Sequence, residues 1–224
     1  MKYTVQIVEK KWLTHDVLQL KLSRPGDFSF RAGQAVEVAL EEPRFFGDSA
    51  SLTLTSLDSD NFLEIILKVY FSRRGITHGI SKLNEGNRLK ISAPWDSFPN
   101  RGPGIFIAGG AGITSFLAIL RQFATDGKIR GSKLLFSNKT EKDIFFADEF
   151  EHLLGADFIR IVTRENNTSR WHGRLNKYFL QEYITQFDCP FYISGPGNFT
   201  EQIKNLLVEI GTKKQFMDLS IVSA

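Results

Sequence analysis

The sequence predicts an N-terminal antiparallel β-barrel followed by a C-terminal α/β domain with a doubly wound parallel sheet. Three observations carry this expectation. Short alternating strands fill residues 1–100, separated by turn chemistry. From residue 101 onward apolar strands alternate with amphipathic helices. Glycine clusters then stand where strands run into helices.

In the first region Tyr3–Lys10 alternates apolar and polar, as does Asp16–Leu22. Ala35–Leu40, Ser51–Thr55, Phe62–Tyr70 and Arg88–Ile91 follow, divided by PGDF, AGQ, EEPRFFGD, LDSDN and NEGN. Many short strands without long helices point to a barrel or sandwich. One helix, about Thr77–Leu83, is entered through Arg74-Gly75. Pro94, Pro99 and Pro103 mark a connector. Beyond it the expected strands are Gly104–Ala108, Lys133–Ser137, Phe158–Thr163 and Phe191–Ser194. The expected helices are Ile113–Ala124, Phe146–Leu154, Leu175–Tyr183 and Phe199–Ile210. This strand–helix repetition implies a parallel sheet with helices on both faces.

Composition narrows the function classes. Of 224 residues, 42% are hydrophobic and 24% charged, which suits a chain with a real core. The net charge of +3 is spread without a basic run, so a small anionic ligand or an acidic protein fits better than a nucleic acid. Cys189 is the single cysteine, which excludes an intramolecular disulfide and cysteine-held zinc or iron–sulfur centres, and no metal site is expected. It is compatible with a reducing, cytoplasmic location. The opening MKYTVQIVEKKW alternates like a strand rather than an export leader, and no apolar run approaches the roughly 18 residues of a membrane span. A monomer is expected.

Gly104–Ala108 runs directly into Gly109-Gly110-Ala-Gly112-Ile113-Thr114. Glycines at such a turn let backbone N–H groups approach a phosphate, and the helix start adds partial positive charge. Thr114 is placed to cap that helix or to donate to the phosphate. A lone glycine cluster also serves a plain tight turn; the flanking strand and helix favour the nucleotide reading. A second turn, Ser194-Gly195-Pro196-Gly197, follows what reads as the last strand. Lys139, Arg164 and Arg174 follow middle strands, where guanidinium and ammonium groups suit a 2′-phosphate. Solvated surface charge is the alternative. His78 and His172 read as surface residues.

Together, Gly109–Thr114, the Ser194-Gly-Pro turn and the preceding barrel resemble the ferredoxin–NADP reductase superfamily, most nearly its bacterial flavodoxin reductases. The resemblance spans essentially the whole chain and implies an FAD-binding barrel at 1–100 and an NAD(P)-binding domain at 101–224. The family's flavin segment, Arg-x-aromatic-Ser/Thr, falls on Ala50-Ser-Leu52-Thr53. The resemblance puts Thr53 at flavin N5, with Leu54 and Thr55 running along the ring. Ala50 stands for the arginine that pairs with the pyrophosphate and Leu52 for the stacking aromatic. Loss of one charge-assisted contact, about 1.5–3 kcal/mol, weakens FAD roughly 10- to 100-fold, with Arg44, Arg73 or Arg74 as candidate replacements. Lys68-Val69-Tyr70 resembles the strand along FAD, and Arg74-Gly75-Ile76-Thr77 the pyrophosphate turn. Pro94–Phe98 resembles the connector. Ser115 replaces a family proline. Ser194 takes the position of a cysteine beside the nicotinamide, and Thr53 and Ser194 are the residues implied to orient the two rings.

The resemblance implies hydride transfer from NADPH to FAD, then single electrons to a flavodoxin or ferredoxin. Three other readings stay open: a free-flavin or ferric reductase, an oxygenase-coupled reductase, and a non-catalytic member with weak FAD binding. The electron-transfer subunit of dihydroorotate dehydrogenase would need a cysteine cluster that this sequence lacks. The chain ends Leu219-Ser-Ile-Val-Ser-Ala224, without the family's terminal aromatic; Phe216 is the nearest.

Overall fold

The structure, a computed structural model, describes residues 1–165 and 171–221. The chain divides into two compact units, Met1–Ser97 with Leu117–Ile119, and Phe98–Phe116 with Leu120–Ala224.

Unit 1 is antiparallel throughout. Its strands are β1 (Tyr3–Trp12), β2 (Val17–Ser23), β3 (Gln34–Ala39), β4 (Ala50–Thr53), β5 (Phe62–Lys68), β6 (Arg88–Ile91) and β7 (Trp95–Asp96). They order as β4-β3-β6-β1-β2-β5, with β7 beside β3. The outer strands meet through a Leu54–Ile65 bridge and a 2.8 Å bond from Thr55 N–H to Glu64 O, which brings the sheet round to a nearly closed barrel. Alternate residues point inward, as the strand period requires. Leu18, Leu20 and Leu22 oppose Leu67, Ile65 and Leu63, and all six lie in the core. A bulge between Ile7 and Glu9 shifts the register of β1 against β2, and bulges bend strands in this way. One short helix, α1 (Ile76–Ser81), lies against the core through Ile76 and Ile80.

Unit 2 contains β8 (Ile105–Gly109), most of α2 (Leu117–Thr125), β9 (Lys133–Asn138), α3 (Ala147–Leu154), β10 (Phe158–Val162), β11 (Trp171–His172), α4 (Lys177–Tyr183), β12 (Phe191–Gly195), α5 (Gly197–Glu209) and β13 (Met217–Ile221). All its strand pairs among the described residues are parallel, in the order β11-β10-β9-β8-β12-β13. β8 and β12 are buried at every position, as expected of strands covered on both faces. One face packs Phe179, Leu180, Ile203 and Leu207 on Ile107 and Ile193. On strand residues of opposite parity, Phe106 and Tyr192 stack with centroids 4.3 Å apart at 9°, joined by Phe98 and Phe116.

Tyr192 also anchors the segment leading into β8. Its hydroxyl donates to Gly102 O at 2.7 Å and accepts from Arg101 N at 2.8 Å. Arg101 Nε lies 2.9 Å from Asp218 Oδ2 on β13. Burial raises the Tyr192 phenol to about 12. Burial also raises the Asp218 carboxyl, with Arg101 opposing the shift.

The barrel and the doubly wound sheet match the expected fold. Local differences have identifiable causes. The expected helix Ile113–Ala124 is a 3-10 helix, Gly110–Ser115, followed by α2 from Leu117. Glycines at 110 and 112 favour a tight, irregular entry over regular α-helix. α4 begins at Lys177 because Asn176 caps it, its side chain accepting from Phe179 N at 3.0 Å. Phe191–Gly195 is not the last strand. β13 follows it and pairs in register from Phe191↔Met217 to Gly195↔Ile221. Of the chain's end, Val222-Ser223-Ala224 lie outside the described residues. No helix among the described residues is long and apolar enough to cross a membrane.

Candidate functional site

In unit 2 the chain leaves β8 toward β9 on one side, and β12 later lands on the other side of β8. Strand order therefore reverses at β8. In open parallel sheets the loops at the strand C-termini of such a reversal flank a ligand crevice. Both glycine turns follow these two strands.

The structure divides the glycines into packing positions and an open one. A Cβ on Gly112 would lie 2.3 Å from Ser194 O and 2.7 Å from Gly195 N. One on Gly195 would lie 2.7 Å from Phe199 Cδ1 and 3.2 Å from Gly109 Cα, and one on Gly109 would lie 3.0 Å from Phe199 Cδ1. These three glycines let the two turns touch backbone to backbone. Gly110 differs: its φ is +53° and a Cβ there would meet nothing within 4 Å. Open space at a glycine-bearing strand-to-helix turn suits close approach of a phosphate.

Two expectations need correction here. Thr114 is buried and its hydroxyl donates to Ala111 O at 2.9 Å, while the residue preceding α2 is Phe116, which makes no side-chain cap. The 3-10 winding places a carbonyl three residues back, and that carbonyl takes the hydroxyl's proton. Ile113 is likewise wholly buried, so its side chain belongs to the core.

Ser194 is also fully buried, with Oγ 2.8 Å from Ser115 Oγ, and Ser115 Oγ reaches Ser220 Oγ at 3.5 Å. Three hydroxyls thus meet at one end of the sheet. Ser220 was not picked out by sequence reasoning because β13 itself was missed. Pro196 precedes α5, its carbonyl accepting from Phe199 N at 2.8 Å and Thr200 N at 3.0 Å.

Lys139, Arg164 and Arg174 are all exposed. Arg164 N donates to Lys139 O at 2.9 Å, and Gly173 N donates to Val162 O at 2.9 Å. The three basic loops are therefore neighbours at the ends of β9, β10 and β11. Their surroundings include a carboxylate that sequence reasoning did not weigh: Glu165 Oε2 accepts from Glu141 N at 2.9 Å.

In unit 1 Thr53 is half-buried at the end of β4, opposite Ala35. Leu52 packs against the barrel core from its edge. Leu54 and Thr55 are fully buried, which corrects their expected place along a ligand. Leu54 fills the core. Thr55 Oγ1 donates to Glu64 Oε1 at 2.8 Å, and Gln19 Nε2 donates to Glu64 Oε2 at 2.6 Å. These contacts satisfy a buried carboxylate, which is costly to leave unpaired. Val69 is also core, and Lys68 Nζ pairs with Asp16 Oδ2 at 2.7 Å. Their side chains are committed to the barrel.

The remaining positions gather at one turn. Tyr70 is half-buried with the Arg73 guanidinium 5.8 Å from its ring centroid. Arg73, Arg74 and Gly75 are exposed, and Ile76 and Thr77 are half-buried. Gly75 is extended at φ −81°, ψ −174°, and a Cβ there would meet nothing within 4 Å. Guanidinium groups beside an open turn form a donor set whose chemistry fits a pyrophosphate.

Comparison with known proteins places this geometry. Residues 106–205 match the oxidoreductase NAD-binding domain family. The chain is 23% identical over 222 residues to the xylene/toluene monooxygenase electron transfer component of Pseudomonas putida, covering 94% of this chain and 63% of that protein. It is 27% identical over 226 residues to NADH-cytochrome b5 reductase 1 of Candida glabrata, covering 92% and 78%. In fold it resembles the FAD/NAD-binding domain of nitric oxide dioxygenase from Vibrio cholerae, with TM-score 0.85, 20% identity and coverage of 99% and 98%. It also resembles a ferredoxin NADP+ reductase from Neisseria gonorrhoeae with bound FAD and NADP, with TM-score 0.82, 18% identity and 98% coverage of each chain. The chain thus shares the fold of these structures, an antiparallel barrel and a doubly wound sheet, and its second unit carries the match to the oxidoreductase NAD-binding domain family.

Proposed function

We propose that the chain is an FAD-dependent electron-transfer reductase that takes hydride from NADPH and delivers single electrons to a protein acceptor, a flavodoxin or ferredoxin. One observation carries the reading: two glycine turns, from β8 and β12, touch backbone to backbone at the reversal point of a parallel sheet, and Gly110 stands open between strand and helix. A bound flavin would supply the two-electron to one-electron conversion. The chain's own part is to hold the nucleotides. Gly110 and the turns around it would take the nicotinamide-nucleotide pyrophosphate. Lys139, Arg164 and Arg174 would take the 2′-phosphate. Thr53 would donate to the flavin ring from the end of β4. Ser194, wholly buried against Ser115, would hold the β12 turn in place rather than touch the nicotinamide with its own hydroxyl.

A second reading is favoured by the relatives: a reductase serving an oxygenase or a haem protein. The two are separated by acceptor. FAD-loaded protein reduced in a stopped-flow instrument by NADPH or NADH, then mixed with flavodoxin, ferredoxin or cytochrome b5, is expected to reoxidise fastest with flavodoxin or ferredoxin. Preference for cytochrome b5 would establish the second reading, and failure of both nucleotides to reduce the protein would overturn both.

The basic loops make a sharper expectation. Replacing Arg164 and Arg174 together with alanine is expected to raise KM for NADPH by at least tenfold, with little change for NADH, since each charge-assisted contact contributes about 1.5–3 kcal/mol. Equal effects on both nucleotides would remove these residues from 2′-phosphate recognition.

A further inference from the structure

Unit 1 brings a third arginine to the Arg73-Arg74-Gly75 turn from a distant point in sequence. Arg44 lies on the connection between β3 and β4, in a 3-10 turn at Pro43–Phe45. Its Nη2 donates to Arg74 O at 3.1 Å. The neighbouring Phe45 anchors this connection. Phe45 is buried, and a Cβ on Gly79 of α1 would lie 2.6 Å from Phe45 Cζ and 2.6 Å from Leu40 Cδ1. The ring is thus seated on α1 where only glycine leaves room. The Arg44 guanidinium lies over the same ring, 5.1 Å from its centroid. A buried aromatic and a backbone carbonyl both restrain an otherwise exposed arginine.

Five arginines elsewhere in the chain, Arg24, Arg31, Arg101, Arg121 and Arg160, are ion-paired with carboxylates. Among the described residues Arg44 and Arg74 have no carboxylate partner. Holding like charges at one turn costs free energy unless an anion neutralises them. Ala50, at the start of β4, lies on the same β3–β4 hairpin, six positions after Arg44.

We infer that Arg44, fixed by the seating of Phe45 on Gly79, binds the pyrophosphate of a flavin dinucleotide at the Arg73-Arg74 turn, so that the hairpin connection supplies the positive charge absent from Ala50. The inference rests on the flavin reading above. The guanidinium fork suits two phosphate oxygens at once, a geometry lysine does not reproduce.

Titration of the full-length chain with FAD and with riboflavin, followed by flavin fluorescence, tests this without turnover. Arg44→Ala is expected to raise the Kd for FAD roughly 10- to 100-fold and to leave that for riboflavin, which has no phosphate, unchanged. Arg44→Lys is expected to recover part of the loss. Arg88→Ala, which removes an exposed charge from β6, is expected to bind FAD as the parent does. FAD binding unchanged in Arg44→Ala, or equal losses for FAD and riboflavin, or an equal loss in Arg88→Ala, would overturn the role of Arg44 while leaving the flavin reading in place. A parent chain that binds neither flavin would overturn the flavin reading itself.

Discussion

Tyr192 shows how one side chain can hold a segment in place. Its ring stacks within the core while its hydroxyl both donates and accepts on the Arg101–Gly102 backbone. Tyr192→Phe keeps the stacking and removes both bonds, so a loss of about 1–3 kcal/mol is expected in denaturant unfolding. The pH dependence follows from the raised phenol. The folded chain favours the protonated form, so the contribution is fully present below the usual phenol value of 10.0 and is lost as pH rises through about 12. Alkaline unfolding of the parent should therefore be steeper than that of Tyr192→Phe in this window. Asp218 carries the same sign at acid pH. Its carboxyl is raised by burial, so the folded chain favours the protonated acid, and the associated stability falls as pH rises above 3.8. At the proposed flavin turn, Ala50→Arg is expected to tighten FAD strongly only in the Arg44→Ala background; equal tightening in both backgrounds would show that the two positions act independently.

At the scale of elements, the glycine turns separate residues needed for packing from a residue left open. Gly112→Ala would press a Cβ into the Ser194 carbonyl at 2.3 Å, whereas Gly75→Ala meets nothing and keeps an ordinary φ of −81°. The first is expected to lower the midpoint of thermal unfolding by several degrees and the second to change it little. The strands and most helices were legible because hydrophobic period and turn residues agreed. The entry to α2 was not. The cap rule favours a threonine before a helix, but glycines at 110 and 112 made that turn 3-10 and Thr114 bonded within it. Leu54 and Thr55 were misplaced for a related reason. Sequence alternation shows two faces of a strand, yet where the barrel comes together, at Leu54–Ile65, both faces are buried.

At the scale of the whole molecule, the fold class was legible because strand-only and strand–helix patterning change at the proline-rich connector. What composition could not show is which polar residues satisfy one another. Ser194 reads from sequence as a nicotinamide contact, Ser115 as a helix-start substitution and Ser220 only as part of the chain's end, but the sheet brings all three together. Likewise the Glu165 carboxylate beside the basic loops depends on a contact with Glu141 N across 24 positions. β13 escaped notice because Asp218 and Ser220 interrupt its apolar character, though both are used: one pairs with Arg101, the other with Ser115.

That last strand has a consequence for handling the protein. β13 covers one lateral edge of β12, residue for residue from Phe191 to Gly195. A chain cut after Phe216 would leave those backbone groups unpaired on a strand composed of Phe191, Tyr192 and Ile193. Bare strands of this kind recruit copies of themselves. Self-association of such a truncated chain, seen as rising light scattering at increasing concentration, is the behaviour to expect.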